Sequence, residues 1–188
     1  MASHAYTDHL ERLLSDVEEL IDAHTRLRTG QRGRQWRLGA INRATLVMGV
    51  SCWEAFVEHI LLESIDLLKP PSPPFGVWQA LNASTRSAIG RFNTPSAENV
   101  RNLFRDSIGL TDVTQEWYWQ NCDTQKATDY LNDVLRKRHE IAHGVNPRPI
   151  INNNYASWLP AFVRNLARCT ERSLKQYLEQ EMGLQHVF

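Results

Sequence analysis

Apolar residues recur at intervals of three and four along four long stretches of this chain, and no stretch alternates apolar and polar residues as a surface strand does. The four stretches cover about residues 7–28, 38–69, 123–143 and 157–182. This period places apolar side chains on one face of a helix, and that face must be buried against other helices. We therefore predict an all-α bundle built on four long helices.

The length of the chain indicates how many domains the bundle forms. Its 188 residues and 42% hydrophobic content are ordinary for one globular domain with a sizeable core. We expect a single domain over residues 1–188, with its helical core at about 7–182.

Prolines and glycines interrupt the middle of the chain. The second long helix is expected to stop at KPPSPP, because proline lacks a backbone donor and prevents helical continuation. Between about residues 75 and 121 the apolar pattern is broken, which predicts an insert of short helices. One of them should begin at Ser96, a good capping residue.

The last two long helices also carry terminal signals. Asp123 or Thr124 is expected to cap the third, and Gly144 followed by Pro147 is expected to end it. We expect Pro160 in the first turn of the last helix, where proline is tolerated.

The charge of the chain is balanced overall but clustered locally. A net charge of zero argues against a protein whose whole surface binds nucleic acid. Two groups of basic residues stand out: Arg26, Arg28, Arg32, Arg34, Arg37 and Arg43, and then Arg136, Lys137, Arg138 and Arg148. Such groups are either solvated surface or a local anion-binding surface.

Cysteine usage and the chain's first residues bear on its compartment. Three cysteines without a CxxC pair indicate neither a disulfide framework nor a thiolate zinc site. The first residues lack a basic head followed by an apolar segment, and no apolar run is expected to reach the roughly 18 residues that span a membrane. We expect a cytoplasmic protein that does not contact a membrane.

The stretch RKRHEIAHG, residues 136–144, contains the letters of a zinc motif, HExxH. His139 and His143 are about 40° apart around a helix, so both can bind one zinc ion while Glu140 activates a water. However, Lys137 adds a charge where zinc-protease helices usually have none, and no third histidine follows at the usual spacing. We expect no metal or other cofactor, and a zinc hydrolase stays a remote alternative.

The helical neighbours of Arg138 suggest a second interpretation of the same stretch. The residues three and four positions away are all apolar: Val134, Leu135, Ile141 and Ala142. The guanidinium should therefore emerge from the buried stripe of the helix, where a charge must be paired or must bind an anion. One alternative is a buried ion pair with Glu54, and another is compensation of the helix dipole.

His143 lies five residues after Arg138, about 140° around an ideal helix. The two side chains therefore flank the edge of a groove rather than stacking on one face. A two-fold symmetric partner can bring both sets of side chains onto one substrate.

At these residues the chain resembles the HEPN superfamily, whose ribonucleases carry an Rx4-6H motif. Here an Rx4H runs from Arg138 to His143 and is followed by glycine. The sequence IAHG, and the earlier stretches SCWEAFVEHIL and TPSAENVRNLFRDSIGL, are similar to those of the RiboL-PSP-HEPN branch. The resemblance covers about residues 7–182.

The resemblance implies a HEPN-like bundle of four to five main helices that forms a homodimer. It also implies that the protein is a metal-independent RNA endonuclease, a hydrolase of toxin–antitoxin or host-defence systems. His143 would act as general base or acid, Arg138 would bind the scissile phosphate, and His139 would orient or supplement them. Glu54 would orient Arg138. Further RNA contacts are expected from four basic residues: Arg32, Arg34, Arg136 and Lys137. An antitoxin or a nucleotidyltransferase-like companion is a possible protein partner.

Because superfamily members can keep the bundle without activity, a second function is also open. This is a catalytically inactive helical interaction module that binds a partner protein or a nucleotide.

Overall fold

Six α-helices form the part of the chain that the structure, a computed structural model, describes: residues 2–29, 36–185 and 187–188. They are α1 (Glu11–Leu27), α2 (Trp36–Leu67), α3 (Gly76–Ile89), α4 (Ala97–Ile108), α5 (Thr124–Ala142) and α6 (Asn153–Gln180), and a π-helical segment, Ala5–Leu10, leads directly into α1. These ranges contain no strand, and the prediction of an all-α HEPN-type bundle is confirmed.

Side-chain caps explain where three helices begin. Ser96 accepts a hydrogen bond from the backbone N–H of Asn99, and Asp123 accepts one from that of Lys126. Both predicted caps are therefore confirmed. Each satisfies a backbone donor that has no partner within its helix.

The start of α6 differs from the prediction. Asn152 caps the helix by accepting the N–H of Tyr155, so α6 begins at Asn153, earlier than the expected start at about residue 157. Pro160 consequently lies inside the helix and not in its first turn, which corrects that prediction. The asparagine run suggested a turn, whereas one of these asparagines is the cap.

Helix α2 runs through the centre of the bundle and contacts all the other helices. Its largest fully buried side chains are Leu46, Trp53, Phe56, Ile60, Leu61 and Ile65. Gly49 allows α6 to approach closely, because a Cβ at this position would lie 2.3 Å from Cδ2 of Leu159.

By length and composition, α2 also meets the criteria for a membrane-crossing helix. The stretch Arg37–Leu67 includes an 18-residue window of mean hydropathy 1.4, contrary to the expectation that no apolar run would reach such a length. Of that window, 56% is buried inside the bundle, as for a core helix.

The middle insert consists of α3, α4 and the turns around them. Trp78 of α3 donates its indole N–H to the carbonyl of Ile65 at 2.8 Å, and Trp53 of α2 donates to the carbonyl of Pro95 at 3.0 Å. The first bond attaches the start of α3 to α2, and the second holds the Asn93–Pro95 turn, between α3 and α4, against α2. The three cysteines, Cys52, Cys122 and Cys169, are buried and free.

Candidate functional site

The Rx4H motif lies at the C-terminal end of α5, where the helix stops in a Schellman motif. The N–H of Val145 donates to the carbonyl of Glu140 at 2.8 Å, and the N–H of Gly144 donates to that of Ile141 at 3.0 Å. Gly144 has φ = 73°, a left-handed conformation that favours glycine. The helix end therefore fixes the backbone of His143, which is the C-cap residue with an exposed side chain.

The two motif histidines contact each other. The ring centroids of His139 and His143 are 4.3 Å apart, and the ring planes are inclined by 54°. Both side chains are exposed, as expected for groups that contact a ligand from solvent.

Lys137, not Arg138, continues the buried stripe of α5. The buried residues of the helix are Ala127, Leu131, Val134 and Lys137. Lys137 is only 2% exposed. The predicted position of Arg138 in the middle of the stripe is therefore wrong, because spacings of three and four fit a stripe through either residue.

The charge of the Lys137 ammonium is balanced by a polar network around it. Its Nζ donates to Asp133 and lies 4.7 Å from the ring centre of Tyr155, whose hydroxyl donates to Asp133 at 2.9 Å. Burial alone would raise the pKa of Asp133, but hydrogen bonds from Lys137, Arg136 and Tyr155 outweigh it and hold that pKa below its ordinary value. Lys137 is thus an interior residue, and its predicted RNA contact is withdrawn.

Arg138 lies at the edge of the stripe, half-buried and without a close charged partner. No residue in the described ranges forms a hydrogen bond or an ion pair with its guanidinium, so the alternative of a buried ion pair with Glu54 does not hold. The two charges still interact at longer range. Burial raises the pKa of Glu54, and the positive charge of Arg138 offsets part of that rise. The guanidinium is therefore available to an external anion.

Arg138 and His139 line a small cleft together with Val50 of α2 and the Asn93–Pro95 turn. The cleft has a volume of about 50 Å³. A space of this size is enough for a few water molecules or a single oxyanion and is too small for a nucleoside. A larger ligand must therefore extend over the surrounding surface.

Of the three other basic residues predicted to contact RNA, only Arg136 lies within the described ranges, and it does not line the cleft. Arg136 is exposed, forms ion pairs with Asp133 and Glu140, and donates to the carbonyl of Arg148. Its charge is largely compensated within the chain. Arg32 and Arg34, also predicted to contact RNA, lie outside the described residues.

The geometry of Glu140 does not fit the zinc interpretation. One of its carboxylate oxygens accepts from Arg136, and the other is buried without a hydrogen-bond partner in the described ranges. Because Arg136 binds one oxygen and the other is shielded from solvent, this carboxylate is not placed to activate a metal-bound water. Over those ranges, moreover, no group of three or more His, Cys, Asp or Glu side chains is arranged to hold a metal ion.

The Asn93–Pro95 turn is the part of the site that sequence analysis missed. It lies more than forty residues before the motif and contains no histidine or charged residue. The Ser96 cap marks a turn here but says nothing about its neighbours. Only the packing of the insert against α2 and α5 brings the turn to Arg138.

Comparison with known proteins agrees with this fold. The RiboL-PSP-HEPN family model matches residues 11–176, which include α1 to α5, the Rx4H motif and most of α6. Searches of curated proteins and of solved structures returned no match. The chain therefore belongs to the RiboL-PSP-HEPN family of the HEPN superfamily.

Proposed function

We propose that this protein is a metal-independent RNA endonuclease that uses Arg138, His139 and His143. The observation that carries the proposal is the state of Arg138: a half-buried guanidinium without an ion pair in the described ranges, facing a cleft of oxyanion size beside the two histidines. A permanent positive charge in such a place is stabilised when an anion binds.

The proposed reaction needs only proton transfer and charge stabilisation. The imidazole of His143 accepts the proton of a ribose 2′-hydroxyl, and the 2′-oxygen attacks the adjacent phosphorus. The bond from phosphorus to the 5′-oxygen breaks, and that oxygen leaves with a proton from a histidine or from water. The products are a 2′,3′-cyclic phosphate and a 5′-hydroxyl, so DNA, which lacks the nucleophile, should resist cleavage.

Each of the other two motif residues has a role in this proposal. Arg138 binds the scissile phosphate and stabilises its additional negative charge in the transition state. His139 lies between Arg138 and His143 and orients the imidazole of His143. Glu54 favours the position of Arg138 through its negative charge.

The small cleft supports a homodimeric enzyme. Because one protomer offers space for little more than the phosphate, a second Rx4H motif related by two-fold symmetry would complete the groove that holds RNA. We place the enzyme in the cytoplasm as a toxin or host-defence effector. An antitoxin or a nucleotidyltransferase-like companion would keep its activity in check.

The test is RNA cleavage by the purified chain with EDTA present. We expect the wild-type protein to cut RNA, and Arg138→Ala and His143→Ala to slow cutting about 100-fold or more with little change in melting temperature, since neither side chain is deeply buried. Arg86→Ala, an exposed arginine of α3 outside the cleft, is the matched control and should cut normally.

Three outcomes would contradict the metal-independent nuclease. Cleavage that survives both motif substitutions would show that the activity arises elsewhere. A wild-type chain that binds RNA or a partner protein but never cuts would favour the inactive interaction module. Activity abolished by EDTA and restored by zinc would instead support the zinc hydrolase.

A further inference from the structure

A second groove lies next to the Arg138 cleft, between α3 and α4. It has a volume of about 260 Å³, and its polar and aromatic lining consists of Arg91, Phe92, Asn93, Asn99, Asn102 and Asp106. Asn93 lines both the groove and the cleft, so the two lie next to each other on the surface. A flexible ligand held by Arg138 can therefore extend into this groove.

The lining of the groove has the chemistry of a site for an unpaired nucleotide. Arg91 is exposed, and its guanidinium forms no hydrogen bond or ion pair within the described part of the chain. Phe92 is half-buried, packed against the core on one side while lining the groove on the other. A free cation beside an aromatic ring is the combination with which proteins bind single-stranded nucleic acid, by phosphate contact and base stacking.

The one carboxylate in the groove does not prevent an anion from binding. Asp106 forms an ion pair with Arg105 at 3.0 Å, which offsets its negative charge. The amide side chain of Asn102 adds both a donor and an acceptor, which can contact a base edge.

The turn that separates groove and cleft is held in place by several hydrogen bonds. Asn99 donates its side-chain amide to the carbonyl of Thr94 at 2.9 Å, and the indole of Trp53 donates to that of Pro95 at 3.0 Å. The N–H of Phe92 donates to the carbonyl of Ile89 at 2.9 Å. These bonds fix the backbone next to Arg91 and Phe92 before any ligand binds, which lowers the entropic cost of binding.

We propose that the α3–α4 groove binds one unpaired nucleotide of the RNA strand next to the phosphate held by Arg138. The ring of Phe92 stacks on the base, Arg91 contacts the phosphate of that nucleotide, and Asn102 contacts the base edge. The proposal rests on the proposed function in taking RNA as the ligand. It gives the middle insert a role in substrate binding that is separate from catalysis.

The experiment measures binding of a fluorescent, uncleavable 2′-O-methyl RNA of about 12 nucleotides to the full chain by fluorescence anisotropy. Phe92→Leu keeps an apolar side chain but removes the aromatic face, and we expect it to weaken binding about fivefold or more. Arg91→Gln should weaken binding. It should also make the plot of log association constant against log salt concentration less steep by about 0.7, the value for one phosphate contact with a single strand. Arg86→Gln is the matched control and should leave both quantities unchanged.

A melting temperature for each variant separates loss of binding from loss of fold. Arg91 is exposed, so Arg91→Gln tests the groove even if Phe92→Leu is destabilised. The proposal is overturned if the wild-type chain does not bind this RNA, or if it binds and neither substitution weakens binding.

A parallel assay of cleavage with EDTA distinguishes the two proposals. Binding that depends on Phe92 and Arg91 without any cleavage would contradict the nuclease and leave the subsite standing. Cleavage that requires His143, with binding unaffected by either groove substitution, would contradict the subsite alone.

Discussion

The imidazole rings of His139 and His143 are in contact, with centroids 4.3 Å apart, and His139 also lines the cleft beside Arg138. His139 thus joins the two ends of a motif whose arginine and last histidine are about 140° apart on an ideal helix. The ring of His139 would therefore lie between a substrate phosphate bound at Arg138 and the ring of His143.

Substitution of His139 should slow the proposed cleavage without abolishing it. We expect His143→Ala to reduce the rate about 10²- to 10⁴-fold, as for loss of a general acid or base, and His139→Ala to cause a smaller reduction. Single-turnover RNA cleavage measures both, and His4→Ala, an exposed histidine at the other end of the chain, is the control. Equal losses for the two motif variants would mean that His139 itself transfers the proton.

The glycine after the motif should be required for both stability and activity. Gly144 has φ = 73°, so Gly144→Ala should lower the free energy of unfolding by about 1–2 kcal/mol. It should also displace the end of α5, which carries His143. Urea denaturation and RNA cleavage report the two effects. Gly76→Ala, in the first turn of α3 with open space around it, is the matched control and should be neutral or slightly stabilising. If Gly144→Ala has the stability and the cleavage rate of the wild-type protein, the end of α5 does not position His143.

Loss of the carboxylate beside Lys137 should destabilise the bundle. Asp133→Asn leaves an ammonium that is 2% exposed without its counter-charge. We expect the free energy of unfolding to fall by about 2–4 kcal/mol. This is somewhat less than for a fully buried pair, because Asp133 is partly exposed to solvent. Arg136→Gln removes the exposed partner of the same carboxylate and should lower the free energy of unfolding far less, because an exposed ion pair contributes little. Free energies of unfolding from urea titrations test the contrast, and equal costs for the two variants would contradict it.

The pH dependence of stability should reveal the interaction between Glu54 and Arg138. Burial holds the pKa of Glu54 above its ordinary value of 4.5, so as pH rises above that value the unfolded state loses its proton first. The charged form is less favourable in the folded state, and stability should fall as pH rises through this window. Glu58, one turn away, has a raised pKa for the same reason and should contribute in the same direction.

Two substitutions test this assignment in opposite directions. Glu54→Gln should make the unfolding free energy fall less as pH rises above 4.5, because it removes a carboxyl whose pKa is raised in the folded state. Arg138→Gln should steepen the decline, since the guanidinium partly offsets the cost of the charged carboxylate. Glu19→Gln, an exposed glutamate of α1, is the control. Parallel curves for wild type and Arg138→Gln would show that the two charges do not interact.

The helices and their ends follow from local sequence. Spacings of three and four predicted the long helices, and Ser96, Asp123 and Gly144 marked ends that the structure confirms. Such features depend on backbone conformation and on residues within one turn, which are close in the sequence as well as in space. The Rx4H motif was recognisable for the same reason, since all its residues lie in one turn and a half of helix.

Only the tertiary structure decided which basic residue of α5 is buried and what lies opposite the motif. Lys137 and Arg138 both fit an apolar stripe, and the rotation of α5 against its neighbours buried Lys137 beside Asp133 and Tyr155. The Asn93–Pro95 turn reaches Arg138 because the insert packs on α2. These contacts join residues that are far apart in the sequence, and local periodicity carries no information about them because they depend on how whole helices pack.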